Sequence, residues 1–117
     1  MHHVIRQIHP PSGPRNAQFI GEPYGADISF FLVDAEPGQG PKPHRHPYPE
    51  TWIVRSGHGT FYAEGAETEA GPGDVVVVSA YTPHTFRNTG TERLELVCIH
   101  AAGEMSTEWL ESTDPIP

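Results

Sequence analysis

Gly38-Gln39-Gly40-Pro41-Lys42-Pro43-His44-Arg45-His46-Pro47-Tyr48-Pro49-Glu50-Thr51-Trp52-Ile53-Val54-Arg55-Ser56-Gly57 is the stretch that decides the fold. His44 and His46 are two residues apart, so on an extended strand both imidazoles project to one face. Pro47-Tyr48-Pro49 cannot continue as a central strand and predicts a bend. Glu50 follows and leads into the apolar run Trp52-Ile53-Val54, which heads inward. Further on, His84 adds another imidazole, with Asn88 behind it. Three imidazoles and one carboxylate make a mixed nitrogen and oxygen donor set. Such a set suits a divalent transition metal, one of Fe, Mn, Ni, Cu or Zn. His44, His46, Glu50 and His84 are the expected ligands.

Outward from this segment, the 12 glycines and 13 prolines are spread as punctuation between short apolar runs. That is the pattern of many short strands joined by turns. Strands are expected over 18–22, 28–34, 44–46, 50–55, 60–64, 67–70, 75–78, 82–87 and 92–100, with a helical turn or strand over 105–110. Val75–Val78 is a continuous β-branched run and reads as a buried strand. Ser56-Gly57-His58-Gly59 reads as a hairpin turn. Nothing has the length and 3.6-residue period of a long amphipathic helix. Pro10, Pro11, Gly13 and Pro14 interrupt the start of the chain. The expected organisation is an arm over 1–16, a β domain over 17–104 and a tail over 105–117. The architecture is all-β, a sandwich or barrel of jelly-roll type.

A chain of 117 residues has room for one core. A formal charge of -8, with seven scattered Lys and Arg, argues against nucleic acid and anionic membrane surfaces as partners. Cys98 is the single cysteine, which excludes an internal disulfide framework and is compatible with the expected cytoplasmic location. The first residues lack the apolar core of a signal peptide, and no apolar run is long enough to cross a bilayer.

The fixed positions Gly38-x5-His44-x-His46-x3-Glu50-x6-Gly57 match the first motif of the cupin superfamily. Gly73-x5-Ser79-x-Tyr81-x2-His84-x3-Asn88 resembles the second. The family usually carries proline and glycine where Ser79 and Tyr81 stand, so that turn departs from the pattern. The short spacer from Gly57 to Gly73 is similar to that of small single-domain microbial cupins of bacterial type. The resemblance implies a cupin jelly-roll β-barrel, also described as a double-stranded β-helix. It also implies pairing as a homodimer, often through exchanged N-terminal strands.

Strand alternation predicts the wall of the pocket. Trp52 and Val54 should point inward with Glu50, and Phe86 with His84. The charge on Glu95 puts Leu94, Leu96, Cys98 and His100 on the opposite, interior side of their strand. His100 is then a candidate catalytic acid or base, and Trp52, Tyr81, Phe86 and Cys98 are candidate substrate contacts. Phe30, Phe61 and Tyr62 read as core, His58 as surface, and Asn88 as a turn residue rather than a ligand. A substrate with two oxygens, such as a diketone, enolate or hydroxy acid, fits the open positions of an octahedral ion. The expected function is a metal-dependent enzyme on a small organic substrate, dioxygenase-like first, with isomerase, lyase or cyclase chemistry on the same ligands. The alternative is a non-catalytic cupin that binds a small molecule as a sensor or carrier. Fold alone does not choose between them.

Overall fold

The structure, a computed structural model, describes residues 2–6, 8 and 16–110. The prolines of the expected arm, and residues 111–117 of the expected tail, lie outside the described residues. The described residues form ten strands: β1 Ala17–Phe19, β2 Ser29–Ala35, β3 His44–Arg45, β4 Glu50–Ser56, β5 Gly59–Ala63, β6 Ala66–Ala70, β7 Val75–Val78, β8 His84–Arg87, β9 Leu94–His100 and β10 Glu108–Trp109. The one helical element among the described residues is a 3-10 turn over Glu22–Tyr24, and the strand expected over 18–22 ends at Phe19. Two antiparallel five-stranded sheets result, in the orders β1-β2-β9-β4-β7 and β10-β3-β8-β5-β6. This is the jelly-roll, double-stranded β-helix architecture.

Inward residues of both sheets meet in one core. Trp52 and Val54 of β4, Phe61 of β5, Phe86 of β8, and Leu94, Leu96 and Cys98 of β9 are all buried there. A large apolar side chain buried in this way contributes about 1.5–3 kcal/mol. The alternation read from the sequence holds along β9, where Glu95 is exposed and its neighbours Leu94 and Leu96 are buried. Phe61 and Tyr62 are buried as expected. Phe30 is half-buried on the outer face, stacked on Phe19.

Three expectations change. Val75–Val78 is an edge strand, and Val75 and Val77 are 57% and 67% exposed. β-Branching favours a pleated strand but does not by itself dictate burial on both faces. The turn at Gly57 and His58 is no hairpin, because β4 lies in the first sheet and β5 in the second. The hairpin comes next, between β5 and β6, where Glu64 and Gly65 have φ of 51° and 76°. Paired positive φ values suit a two-residue turn with the twist of its strands. Finally, the second sheet continues beyond residue 104, since β10 pairs with β3.

The motif glycines have a common physical role. Gly38, Gly57 and Gly73 have φ of 89°, 79° and 90°, the region open to glycine. At Gly57 a Cβ would also lie 2.2 Å from the carbonyl oxygen of Arg93. Gly38 and Gln39 are held across the barrel by Asn88, whose backbone exchanges two bonds of 2.8 Å with them.

Candidate metal centre

β3, β4 and β8 bring His44, His46, Glu50 and His84 together, with one potential ligand atom from each lying within 4.8 Å of the others. His46 sits immediately beyond β3, Glu50 begins β4 and His84 begins β8. His44 faces His84 in register, which sets two of the imidazoles side by side. All four side chains are buried.

Each imidazole is oriented through its far nitrogen. His44 Nδ1 lies 2.6 Å from the Lys42 carbonyl, His84 Nδ1 2.7 Å from that of Thr82, and His46 Nδ1 2.9 Å from that of Ser106. A carbonyl only accepts, so each Nδ1 carries the proton and each Nε2 keeps its lone pair. His46 Nε2 and His84 Nε2 both stand 3.0 Å from Glu50 Oε1. Without a cation each of these nitrogen–oxygen contacts calls for a proton between the two atoms, whereas a cation among them would take the lone pairs and the carboxylate oxygen as ligands. His46 Nε2 is the one buried side-chain polar atom among the described residues with no hydrogen-bond partner. A buried polar group left in that state is costly. The donor set therefore fits a divalent ion, with outer carbonyls fixing the tautomers as in known metal sites.

Burial opposes charge on Glu50, but the imidazoles of His46, His84 and His100 outweigh it and hold the carboxyl well below the usual range. Burial also lowers His44 to about 4, against a partly compensating bond to the Lys42 carbonyl. Both effects favour the deprotonated forms that bind metal. Trp52 Nε1 donates to Glu50 Oε2 at 2.7 Å. Trp52 is wholly buried and lies behind the carboxylate, not in the cavity wall where alternation put it. Its role is to position Glu50.

A cavity of about 730 Å³ opens beside the cluster. His100, Phe86 and Cys98 line it, as the sequence suggested, and so do His44, His46 and Glu50. Tyr81, expected at its mouth, does not; the residue is 64% exposed. Its backbone nonetheless takes φ 62°, the conformation of the glycine it replaces, and its N–H donates to the His46 carbonyl at 2.7 Å. Burial raises the Cys98 thiol well above its ordinary range, which disfavours a thiolate nucleophile. Asn88 is no ligand: its amide bonds to the carbonyls of Ala35 and Glu92 and accepts from the Gly90 N–H. His58 is exposed and outside the cluster.

Tyr48 was missed. Its hydroxyl accepts from the Ser106 N–H at 3.1 Å and lies 2.7 Å from His100 Nδ1. The hydroxyl thus ties the segment before β10 to one ring nitrogen of His100 and leaves Nε2 toward the cluster. That nitrogen stands 3.6 Å from Glu50 Oε2. Burial lowers His100 to about 4, so the ring is neutral at physiological pH. Trp109 of β10 was missed as well; its ring lies 4.9 Å from that of His44 and lines the cavity. The only local signal for either was an aromatic residue among prolines or near the end of the chain, and both contacts span more than 50 residues.

The cupin domain family matches residues 31–100, and the chain belongs to that family. No curated protein matches it. Among solved structures it resembles a conserved Klebsiella pneumoniae protein with a double-stranded β-helix domain, at 26% identity and TM-score 0.72, over 90% of this chain and 91% of that one. It also resembles a variant of Bacillus subtilis oxalate decarboxylase, at 22% identity and TM-score 0.76, over 87% of this chain and 30% of that one. Another structure of that decarboxylase, concerned with its Mn(II) centres, matches at 22% identity and TM-score 0.75, over 86% of this chain and 29% of that one. At those identities the decarboxylase likeness shows the fold alone. This chain spans less than a third of its length. No helix among the described residues is long and apolar enough to cross a membrane.

Proposed function

We propose that the chain is a metal-dependent cupin enzyme that acts on a small organic molecule bound through oxygen atoms, with dioxygenase-type chemistry the first class to test. The observation that carries this reading is the convergence of lone-pair imidazole nitrogens and a carboxylate oxygen, each held from outside. His44, His46, Glu50 and His84 would hold the ion. When bound, a divalent ion supplies a Lewis acid with positions left for substrate oxygens. The cavity's size lies in the range of small-molecule sites. Phe86 and Phe31 give it apolar walls, and His100 presents Nε2 beside Glu50. The Mn(II) centres named for the decarboxylase make manganese the first ion to try, ahead of Fe, Ni, Cu and Zn.

A binding role without turnover is the second reading. It is favoured by the scarcity of reacting groups in the cavity, since Tyr81 does not line it and burial disfavours the Cys98 thiolate. A buried free thiol supports the cytoplasmic assignment. Pairing of two copies belongs to the same proposal. Leu32, Val75 and Val77 are exposed on the outer face of the first sheet, and β1 is an edge strand of that sheet. A monomeric mass in light scattering would remove the pairing.

Elemental analysis after reconstitution with each ion tests the site. Oxygen consumption with diketones and catechols then separates the two readings. Binding of a ligand without turnover under any ion would decide for the carrier.

A further inference from the structure

β4, β8 and β9 are each polar where they meet the site and apolar on the same face as they leave it. On β4 the buried positions after Glu50 are Trp52 and Val54. On β8 Phe86 follows His84, and on β9 Cys98, Leu96 and Leu94 lead away from His100. The register brings the polar ends together, since His100 stands opposite Glu50 on one side and Ser29 on the other. It also sets β2 along the apolar part of β9, with Phe31 opposite Cys98, Val33 opposite Leu96 and Ala35 opposite Leu94. β8 leaves the imidazoles in the same direction, because Asn88, just beyond its end, donates to the Ala35 carbonyl at 2.9 Å.

The cavity follows this gradient. Its lining joins the polar cluster to Phe31, Val33 and Ala35 of β2, Cys98 of β9 and Phe86 of β8. Phe31 lies edge-on to His100 with ring centroids 5.6 Å apart, so the apolar wall starts directly beside the polar end. Phe31 and Val33 pack on the core, yet neither is fully buried. From Phe31 to Ala35 the track is four residues long, about 13 Å by the rise of a strand.

Asp34 and Arg87 also border the cavity, but each is an odd step along its strand from these apolar residues. Alternation therefore turns their side chains to the other face. Asp34 pairs with Arg93, and Arg87 donates to the Gly38 carbonyl. The amide oxygens of Asn16 and Gln39 are taken by the backbone N–H groups of Asp34 and Glu36.

We infer that this track holds an apolar tail, and that the site takes an amphiphilic ligand. Its chelating oxygen head lies among the imidazoles and Glu50, and its alkyl or aryl tail lies along Phe31, Val33 and Ala35. A short, wholly polar chelator would leave that apolar surface in water, and the gain from covering it would go unused. This rests on the small-molecule reading above and names its substrate class.

The test uses a homologous series of chelating probes: 4-methylcatechol, 4-propylcatechol and 4-hexylcatechol. Binding to the manganese-loaded full chain is followed by calorimetry without air, with metal content measured on the same samples. Each added methylene should tighten binding about two- to fourfold while the tail still has wall to cover. Val33→Phe, which fills the track, should weaken the hexyl probe about tenfold or more and spare the methyl probe. Val33→Thr, close in shape but polar, should reduce the gain per methylene and serves where the larger side chain perturbs folding. An unchanged thermal midpoint and metal content in either variant exclude a folding defect. Equal affinity across the series in the parent, an unchanged gain per methylene in both variants, equal weakening of all probes, or binding of no probe to loaded protein would overturn the inference. Failure of the parent to load any ion would instead bring down the reading beneath it, and this inference with it.

Discussion

β7 and β10 are both edge strands, and they stand in opposite relation to the site. β7 is four valines, as strong a strand signal as the chain contains, yet it meets the site only through backbone pairing, with Val78 opposite Glu50, and no side-chain bond or ring contact joins it to a candidate ligand among the described residues. β10 is two residues in a segment rich in polar side chains, with both of its residues exposed. Even so, the segment leading into it supplies the carbonyl that orients His46 and the amide that engages Tyr48, and Trp109 lies against His44. The Arg45–Glu108 pair, with bonds of 2.6 and 3.1 Å, helps hold β10 on β3. Propensity governs whether a segment becomes a strand. Its contribution to the site depends on where the register carries it.

The hardest test of this contrast is direct. His46→Ala should drop metal content below about a tenth of the parent, because it removes a ligand rather than its support. Val75→Thr with Val77→Thr should leave metal content unchanged. A comparable loss in the valine variant would end the distinction between the two strands. Next in size, truncation after Gly103 removes the Ser106 carbonyl and Trp109 but retains the Gly103 carbonyl that bonds to Ser29 and Glu22. Affinity measured by competition with a chelator should fall about 10–100-fold. Full affinity in the truncated chain would mean that β10 is as peripheral as β7.

A third experiment sharpens the comparison through pH. His44 and His100 titrate near 4 in the folded state against an ordinary value of 6.5. Between those values the unfolded chain takes up protons first, so stability of the metal-free protein should fall as pH drops from about 6.5 to about 4. Above that window both rings are neutral in both states and contribute no slope. Each pH unit of depression is worth about 1.4 kcal/mol per ring as an upper guide. Glu50, depressed in the folded state, extends the loss to lower pH. Chemical denaturation across the range checks this, and His100→Gln should flatten the curve. An unchanged slope in that variant would remove His100 as a source.

The smallest effect belongs to Tyr81. A non-glycine residue at φ 62° costs about 1–2 kcal/mol. Tyr81→Gly should therefore raise the thermal midpoint slightly and leave metal content alone. A drop in stability would show that the exposed ring contributes more than its backbone strain.

Much of the site was legible before any coordinates. The two-residue spacing of His44 and His46 put both rings on one face, and the motif located Glu50 and His84. The same reading misplaced Trp52. Alternation reports the face on which a side chain lies, and the core and the cavity share the inner face. Tyr81 was misread for a related reason: a chain position beside a ligand is not a direction in space.

What the sequence alone determined is what short-range rules control. Those are the strand positions, the glycines whose φ only glycine adopts freely, and the inward face of each strand. The tertiary structure decided everything that depends on which distant residues become neighbours. It set Tyr48 on His100 and the Ser106 carbonyl on His46. The reason is physical: a pleat repeats every two residues and can be read locally. A hydrogen bond across 52 or 60 residues exists only once two sheets have closed on a common core.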